Sequence, residues 1–481
     1  MSHIRPRPAA IEARSIDYVP LAERRGHSRG LWPIWFAGST HLTTMAVGII
    51  GISLGASLLW TAIAILAGSA LGTLIIAGHS AQGPRLGLPQ LIQSRSQFGY
   101  YGALLIYGVA LISYVGYNAF GQILAGQTLQ ALAGVPHLPA ELAYSVTAML
   151  IAMVGISLFK VVQRWLSVLL IATLTAYTLG LFVFGPVVPL ILAGGAFKSG
   201  PFFAQLSAAA AYQLSWAIYV SDYSRYLPRK ISVKSAYWWT FAGTYLGGTW
   251  GMLIGAVTVA MLPGATMAQA LVQGGDRLWP GFGPALLGLA MAGLTMSAAL
   301  NFYGGSLTLL SIVDTIKPMS LGLDKRIAAM VAVATASVTV ALTASSDFIT
   351  GFSVFLSVLL YLVVPWIAIT LVDFYLVRRG HYAITAILKP SHLYGRWNWR
   401  GLTAYGFGFA AMIPFIDTPF YAGPIARALD GVDVGMLAGM LIAGTSYRLL
   451  CRNLDVAGEW RQIRDIDHGL DTHISSPISA S

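Results

Sequence analysis

Apolar residues in this chain do not alternate as in a half-buried strand, and they do not form the narrow stripe of a surface helix. They come in long, nearly unbroken blocks. A helix that crosses a bilayer needs about 20 predominantly apolar residues. Blocks of that size fall at 31–55, 57–79, 99–132, 140–159, 164–190, 202–221, 236–262, 281–313, 327–345, 350–377, 402–420 and 432–451. The pattern predicts an all-α integral membrane protein with twelve transmembrane helices. The first two are separated by almost nothing, and a short link lies at 133–139. Tails of about 30 residues flank them, at 1–30 and 452–481.

Composition agrees. Hydrophobic residues make up 56% of the chain and charged residues 10%, against roughly 25% charged in a soluble domain. Too few charges remain to coat so much apolar surface in water. The net charge is +11, and its placement gives it meaning. With the N-terminus in the cytoplasm, 26 of the 29 Lys and Arg residues fall in the tails or in loops on the inner side. Only Lys198, Arg277 and Arg427 lie outside that set. Basic residues favour the cytoplasmic side of a span, and a missed or extra helix would scramble this partition. The charge therefore reads as topology and as attraction to lipid headgroups, with both termini cytoplasmic, and not as a nucleic-acid surface. Residues 1–30 contain six arginines and no apolar core, so no cleavable signal is expected there. The single Cys451 excludes an internal disulfide. The C-terminal tail reads as disordered.

Polar groups at membrane depth mark function, because they are costly to keep there. No acidic or basic residue falls at mid-span. Asp222, Asp314 and Asp373 sit at span ends beside basic residues and are expected to be wet ion pairs. A solute without a fixed counter-ion follows. Four spans carry uncharged polar or aromatic groups. The first has Ser39, Thr40, His41, Thr43 and Thr44; the third has Tyr114, Tyr117, Asn118 and Gln122. The sixth has Tyr212, Gln213, Ser215, Trp216 and Tyr219; the eighth has Thr295, Ser297, Asn301 and Tyr303. Carboxamides match the edge of a heterocycle and aromatic rings match its face. The first and sixth spans are polar and interrupted, five spans apart. That spacing points to an inverted repeat, with spans 1–5 (31–190) and 6–10 (202–377) as the repeats and the helices of 402–451 appended.

Four stretches carry a family resemblance: Leu31-Trp32-Pro33-Ile34-Trp35-Phe36; Gln82 to Gln90 with Ser94-Arg95 and Phe98-Gly99; Ser221-Asp222-Tyr223-Ser224-Arg225-Tyr226-Leu227-Pro228; and Val372-Asp373-Phe374-Tyr375 with Arg378-Arg379-Gly380 and Tyr382. Over about residues 30–450 the chain resembles the purine/cytosine permease branch of the nucleobase–cation symporter family. The resemblance implies a LeuT-like fold, in which a bundle of spans 1, 2, 6 and 7 moves against a scaffold of spans 3, 4, 8 and 9. It implies a solute site among spans 1, 3, 6 and 8. There His41 stands where relatives have Gln, and Tyr117 where they often have Trp. Tyr212, Gln213 and Trp216 match the span-six segment, and Asn301 matches the span-eight amide. With Asn118, these seven form the candidate substrate set.

The resemblance also implies a sodium site from backbone carbonyls near Ala37 and Thr40 and hydroxyls of Thr295 and Ser297. Met296 separates the last two, where relatives have adjacent hydroxyls. Sodium and a proton, the latter with His41 as the titratable group at depth, both stay open as coupling ion; no other cofactor is expected. The expected function is import of a neutral nucleobase or related heterocycle by alternating-access symport. The alternative is transport of an amino acid, amine or vitamin precursor on the same fold. No buried carboxylate pair, His-rich metal motif or Gly-x-Ser-x-Gly elbow supports an enzyme.

Overall fold

The computed structural model describes residues 17–154, 156–317, 319, 322–344, 347–390, 393–467 and 470. Between the tails the chain is almost wholly helical. The principal helices are α1 (Leu31–Gly38), α2 (Leu42–Gly48), α3 (Leu58–Ile76), α4 (Leu104–Ala133), α5 (His137–Val154) and α6 (Ile156–Phe184). They continue as α7 (Ser199–Ser215), α8 (Val220–Ser224), α9 (Val233–Ala260), α10 (Phe282–Ile316) and α11 (Leu323–Thr343). The last are α12 (Phe348–Val372), α13 (Trp399–Met412), α14 (Gly435–Leu450) and α15 (Val456–Ile466).

Among the described residues, six continuous helices are long and apolar enough by themselves to cross a bilayer: Leu58–Leu86, Leu104–Ala133, Arg164–Phe184, Phe282–Ile316, Leu323–Thr343 and Phe348–Val377. Other predicted blocks are broken or more polar. The first divides into α1, α2 and a turn at Ile50–Ser53, and the sixth into α7 and α8. Among the short elements the blocks did not predict are a helix and a small ladder. A helix at Met267–Asp276 is fixed by a capping box between Thr266 and Gln269. A two-residue antiparallel ladder pairs Asp417–Thr418 with Tyr421–Ala422.

The helices pack in two groups. In one, α1, α2, α3, α7 and α9 lie together; in the other, α4, α5, α10 and α11 do. Helices in lipid associate through close backbone approach at small residues. A Cβ at Gly48 would lie 1.9 Å from the Met252 carbonyl oxygen, and one at Gly255 would lie 2.1 Å from that of Met45. Glycine on both helices therefore sets the contact between α2 and α9. Helices α12, α13 and α14 pack on one another beside these groups.

The face that carries the chain termini is tied by charge-assisted bonds. Arg225 donates to the Asp17 carbonyl at 3.3 Å, and Asp222 accepts from the Gln90 backbone N–H at 2.7 Å. Asp373 departs from expectation. It is fully buried, not wet. The buried Arg378 donates to it at 2.7 Å and holds both oxygens of Glu459 at 2.8 and 3.0 Å. Tyr382, Gln97 and Tyr447 complete the shell at 2.7, 2.7 and 3.0 Å. Burial works against the guanidinium charge, but Asp373, Tyr447 and Glu459 outweigh it and hold the group firmly protonated. The expectation of a disordered C-terminal tail is corrected over the same stretch. Glu459 belongs to helix α15, which Asp455 caps by accepting from the Gly458 N–H at 2.8 Å. Ile463 packs from α15 onto a core of Leu86, Ile92, Tyr382 and Ile387, and Trp460 meets the His381 ring at 4.5 Å. The apolar positions of this short helix fall on one side, so it buries them. Residues 471–481 lie outside the described residues.

Candidate functional site

The two interrupted spans bring the site together. Helix α1 ends at Gly38, and the chain passes through Ser39 and Thr40 to His41, whose backbone is extended (φ −152°, ψ 175°) before α2 begins. Span six breaks opposite. Ser215 turns its hydroxyl back onto the Tyr212 carbonyl at 2.7 Å, and Trp216–Tyr219 tightens into a 3₁₀ turn. Short hydroxyl side chains that bond their own helix bend it. Each break turns aromatic and polar side chains toward the space between the two helix groups.

That space is a cavity of about 940 Å³, open solvent included. Ala37, Thr40, His41 and Thr43 line it from span one, Tyr117 and Asn118 from α4, and Tyr212, Ser215, Trp216 and Tyr219 from span six. Ser297 and Asn301 line it from α10. The rings form a box: Tyr212 lies 6.1 Å from Trp216, 6.3 Å from Tyr117 and 6.4 Å from His41, centroid to centroid. Phe355 of α12 stands edge-on to Tyr117 at 5.1 Å and continues into the cluster of Phe120, Phe348 and Phe352. These rings close the side away from the termini. The lining also takes in Leu166 and Ser167 of α6 and Tyr223 of α8.

The polar inventory is specific. Asn118 is 1% exposed, and neither amide atom has a protein partner. Nδ1 of His41 is also buried without one. An amide buried without partners costs several kcal/mol by transfer measures. Asn301 accepts from the Tyr219 hydroxyl at 3.1 Å. Tyr117 and Ser215 are bonded at 2.7 Å.

Six of the seven sequence-derived substrate residues line the cavity: His41, Tyr117, Asn118, Tyr212, Trp216 and Asn301. Gln213 does not. Its amide donates to the Thr244 carbonyl at 3.3 Å, and its Nε2 lies where a Cβ on Gly248 would sit, 2.4 Å away. It packs against α3 and α9. Of the sodium candidates, Ala37, Thr40 and Ser297 line the cavity. Thr295 donates instead to the Met291 carbonyl at 2.9 Å. Two positions along a helix turn the side chain by about 200°, so Thr295 and Ser297 project to opposite sides. Among the described residues no group of three His, Cys, Asp or Glu could hold a metal ion. Tyr144, Leu166, Ser167 and Leu170 complete the lining from α5 and α6. Sequence reasoning passed over them because it looked for the solute only among spans 1, 3, 6 and 8. Tyr144, near the start of the fourth block, was the available signal.

An aromatic box between two broken helices of an apolar helical bundle is the arrangement of a solute carrier. The chain matches, over residues 18–439, the family described as permease for cytosine/purines, uracil, thiamine and allantoin. It is 33% identical over 445 residues to YxlA of Bacillus subtilis (strain 168), a purine-cytosine permease by name, covering 92% of this chain and 96% of that one. It is 26% identical over 466 residues to the purine-cytosine permease fcyB of Emericella nidulans, covering 92% and 88%. The chain belongs to this permease family and is a transporter, not an enzyme. Its fold is that of Mhp1, a nucleobase-cation-symport-1 family transporter with the LeuT-like architecture. The closed form with bromovinylhydantoin bound superposes with a TM-score of 0.73 at 16% identity, covering 95% of this chain and all of that one. The inward-facing form of Mhp1 gives 0.73 at 15% identity over 96% and 98%.

Proposed function

We propose that this chain imports a neutral nucleobase or nucleobase-like heterocycle (cytosine, a purine or a related pyrimidine) across the cell membrane by alternating-access symport with sodium or a proton. The observation that carries the reading is Asn118. Its buried, unpartnered carboxamide stands in an aromatic box, and it matches the hydrogen-bonding edge of a flat heterocycle stacked against rings. The names of the relatives point the same way. The family site residues are then His41, Tyr117, Asn118, Tyr212, Trp216 and Asn301, with Gln213 holding the helix behind them.

In the topology we favour, the chain makes twelve spans with both termini cytoplasmic, spans 1–5 and 6–10 forming inverted repeats and 11 and 12 appended. We read the cavity as opening toward the termini face, on the side of Leu166, Ser167 and Tyr223, which makes this an inward-facing conformation. For the coupling ion, Ala37, Thr40 and Ser297 offer oxygens near the span-one break. The absence of Thr295 from that group weighs toward a proton and His41.

The test is thermal stabilisation of the purified protein by nucleobases, with and without sodium. A ligand that binds only the folded state stabilises by about 2.7 kcal/mol at a hundred times its Kd. A nucleobase shift that grows with sodium supports sodium symport, and one indifferent to sodium moves the coupling to protons. A shift from amino acids alone overturns the substrate class.

A further inference from the structure

The hydroxyls behind His41 leave no freedom in where their protons lie. Thr44 Oγ1 is 2.8 Å from the Ser39 carbonyl oxygen. A carbonyl only accepts, so the Thr44 proton points at Ser39. Thr44 Oγ1 is also 2.5 Å from the Tyr212 hydroxyl. With the Thr44 proton already committed, the Tyr212 O–H must be the donor there. The Tyr212 oxygen lies 3.2 Å from His41 Nε2, and with its own proton spent it can only accept. Neutral imidazole carries a single N–H. It must therefore sit on Nε2, and Nδ1, which is buried without a protein partner on a cavity-lining residue, keeps a bare lone pair.

The opposite wall is ordered in the same way with the other sign. Tyr219 donates to Asn301 Oδ1 at 3.1 Å, which leaves the Asn301 amide N–H groups for the cavity.

From this chain of donors we infer that Ser39, Thr44 and Tyr212 lock His41 as its Nε2–H tautomer, so that the site meets the ligand with an acceptor at Nδ1 and selects heterocycles that present an exocyclic amino group there over counterparts that present a carbonyl. Aminopyrimidines and aminopurines have that edge, a donor beside a ring nitrogen acceptor. The selectivity rests on the nucleobase reading above; the tautomer does not. Thr44 and Tyr212 act as positioning residues. They set the polarity of His41 through the order of their protons.

The experiment has two readouts on the full-length protein in nanodiscs. The first is nitrogen NMR of ligand-free protein labelled with ¹⁵N-histidine, with His41 assigned by the difference from His41→Gln. A pyridine-like Nδ1 and a pyrrole-like Nε2 are expected; a pyrrole-like Nδ1 overturns the assignment. In Thr44→Val, a nearly isosteric change, the Tyr212 proton loses its acceptor and turns to His41 Nε2. The spectrum should then reverse to Nδ1–H, and an unchanged spectrum overturns the relay.

The second readout is competition binding of cytosine against uracil and adenine against hypoxanthine. Leaving one buried polar group unpaired is worth on the order of a 10- to 100-fold change in affinity. Wild type should favour the amino member of each pair by about that factor. Thr44→Val should invert the preference, and Tyr212→Phe, which frees the tautomer, should erase it. Equal affinities in wild type overturn the selectivity. If none of the four compounds binds, the substrate reading and the selectivity fall together, and the spectrum still decides the tautomer.

Discussion

Asn118 has its cost in the ligand-free protein and its use in the complex. Its amide is enclosed without a protein partner. An apolar side chain of similar shape removes that penalty, about 1–3 kcal/mol. Asn118→Leu should therefore raise the unfolding midpoint in detergent while lowering nucleobase binding roughly tenfold or more. Scanning fluorimetry and equilibrium binding on the same preparation check both, and a variant that loses both properties contradicts the role. Most of the site was legible residue by residue, because polar groups at depth are scarce and each of His41, Tyr117, Asn118 and Asn301 stood out. Gln213 was not legible. It is adjacent to Tyr212, and neighbours on a helix point about 100° apart. Once Tyr212 faces the cavity, Gln213 turns into the packing against α3 and α9.

At the scale of elements, the breaks in spans one and six were readable from Gly38-Ser39-Thr40-His41 and from Ser215 with its neighbours. The contact that holds α2 against α9 was not, because glycine pairs acquire meaning only when two distant helices are seen to touch. Gly255→Ala would place its Cβ 2.1 Å from the Met45 carbonyl oxygen and force the helices apart. Such overpacking costs about 1–3 kcal/mol, and the midpoint should fall accordingly. Gly288, with nothing within 4 Å of its added Cβ, is the matched control; its change to Ala should leave the midpoint unchanged or raise it. Helix α15 escaped the sequence reading for a related reason. Its apolar stripe of Val456, Trp460 and Ile463 is short, and Glu459 finds its partner Arg378 across 81 residues.

Over the whole molecule, the proposed orientation of the cavity can be tested at Ser167. Ser167 lines the cavity. Ser167→Cys should react with a membrane-impermeant maleimide applied from the cytoplasmic side, and bound nucleobase should slow the reaction. Labelling only from outside would reverse the orientation proposed here. Removing Glu459 takes two bonds from Arg378 but leaves it paired with Asp373, so Glu459→Ala should lower stability by less than the about 3–5 kcal/mol that a stranded buried charge costs. Glu459→Gln, which can still accept from Arg378, should lower it by less again, and thermal unfolding checks the order. The buried cluster around Arg378 also has a place in time. Arg378 leaves the ribosome 81 residues ahead of Glu459, so the guanidinium meets its full set of partners only after α13 and α14 are made. A chain that stopped after α14 but before Glu459 would keep the Asp373–Arg378 pair and lack the two bonds that Glu459 accepts. Helix α15 is thus the last piece of this cluster to be made.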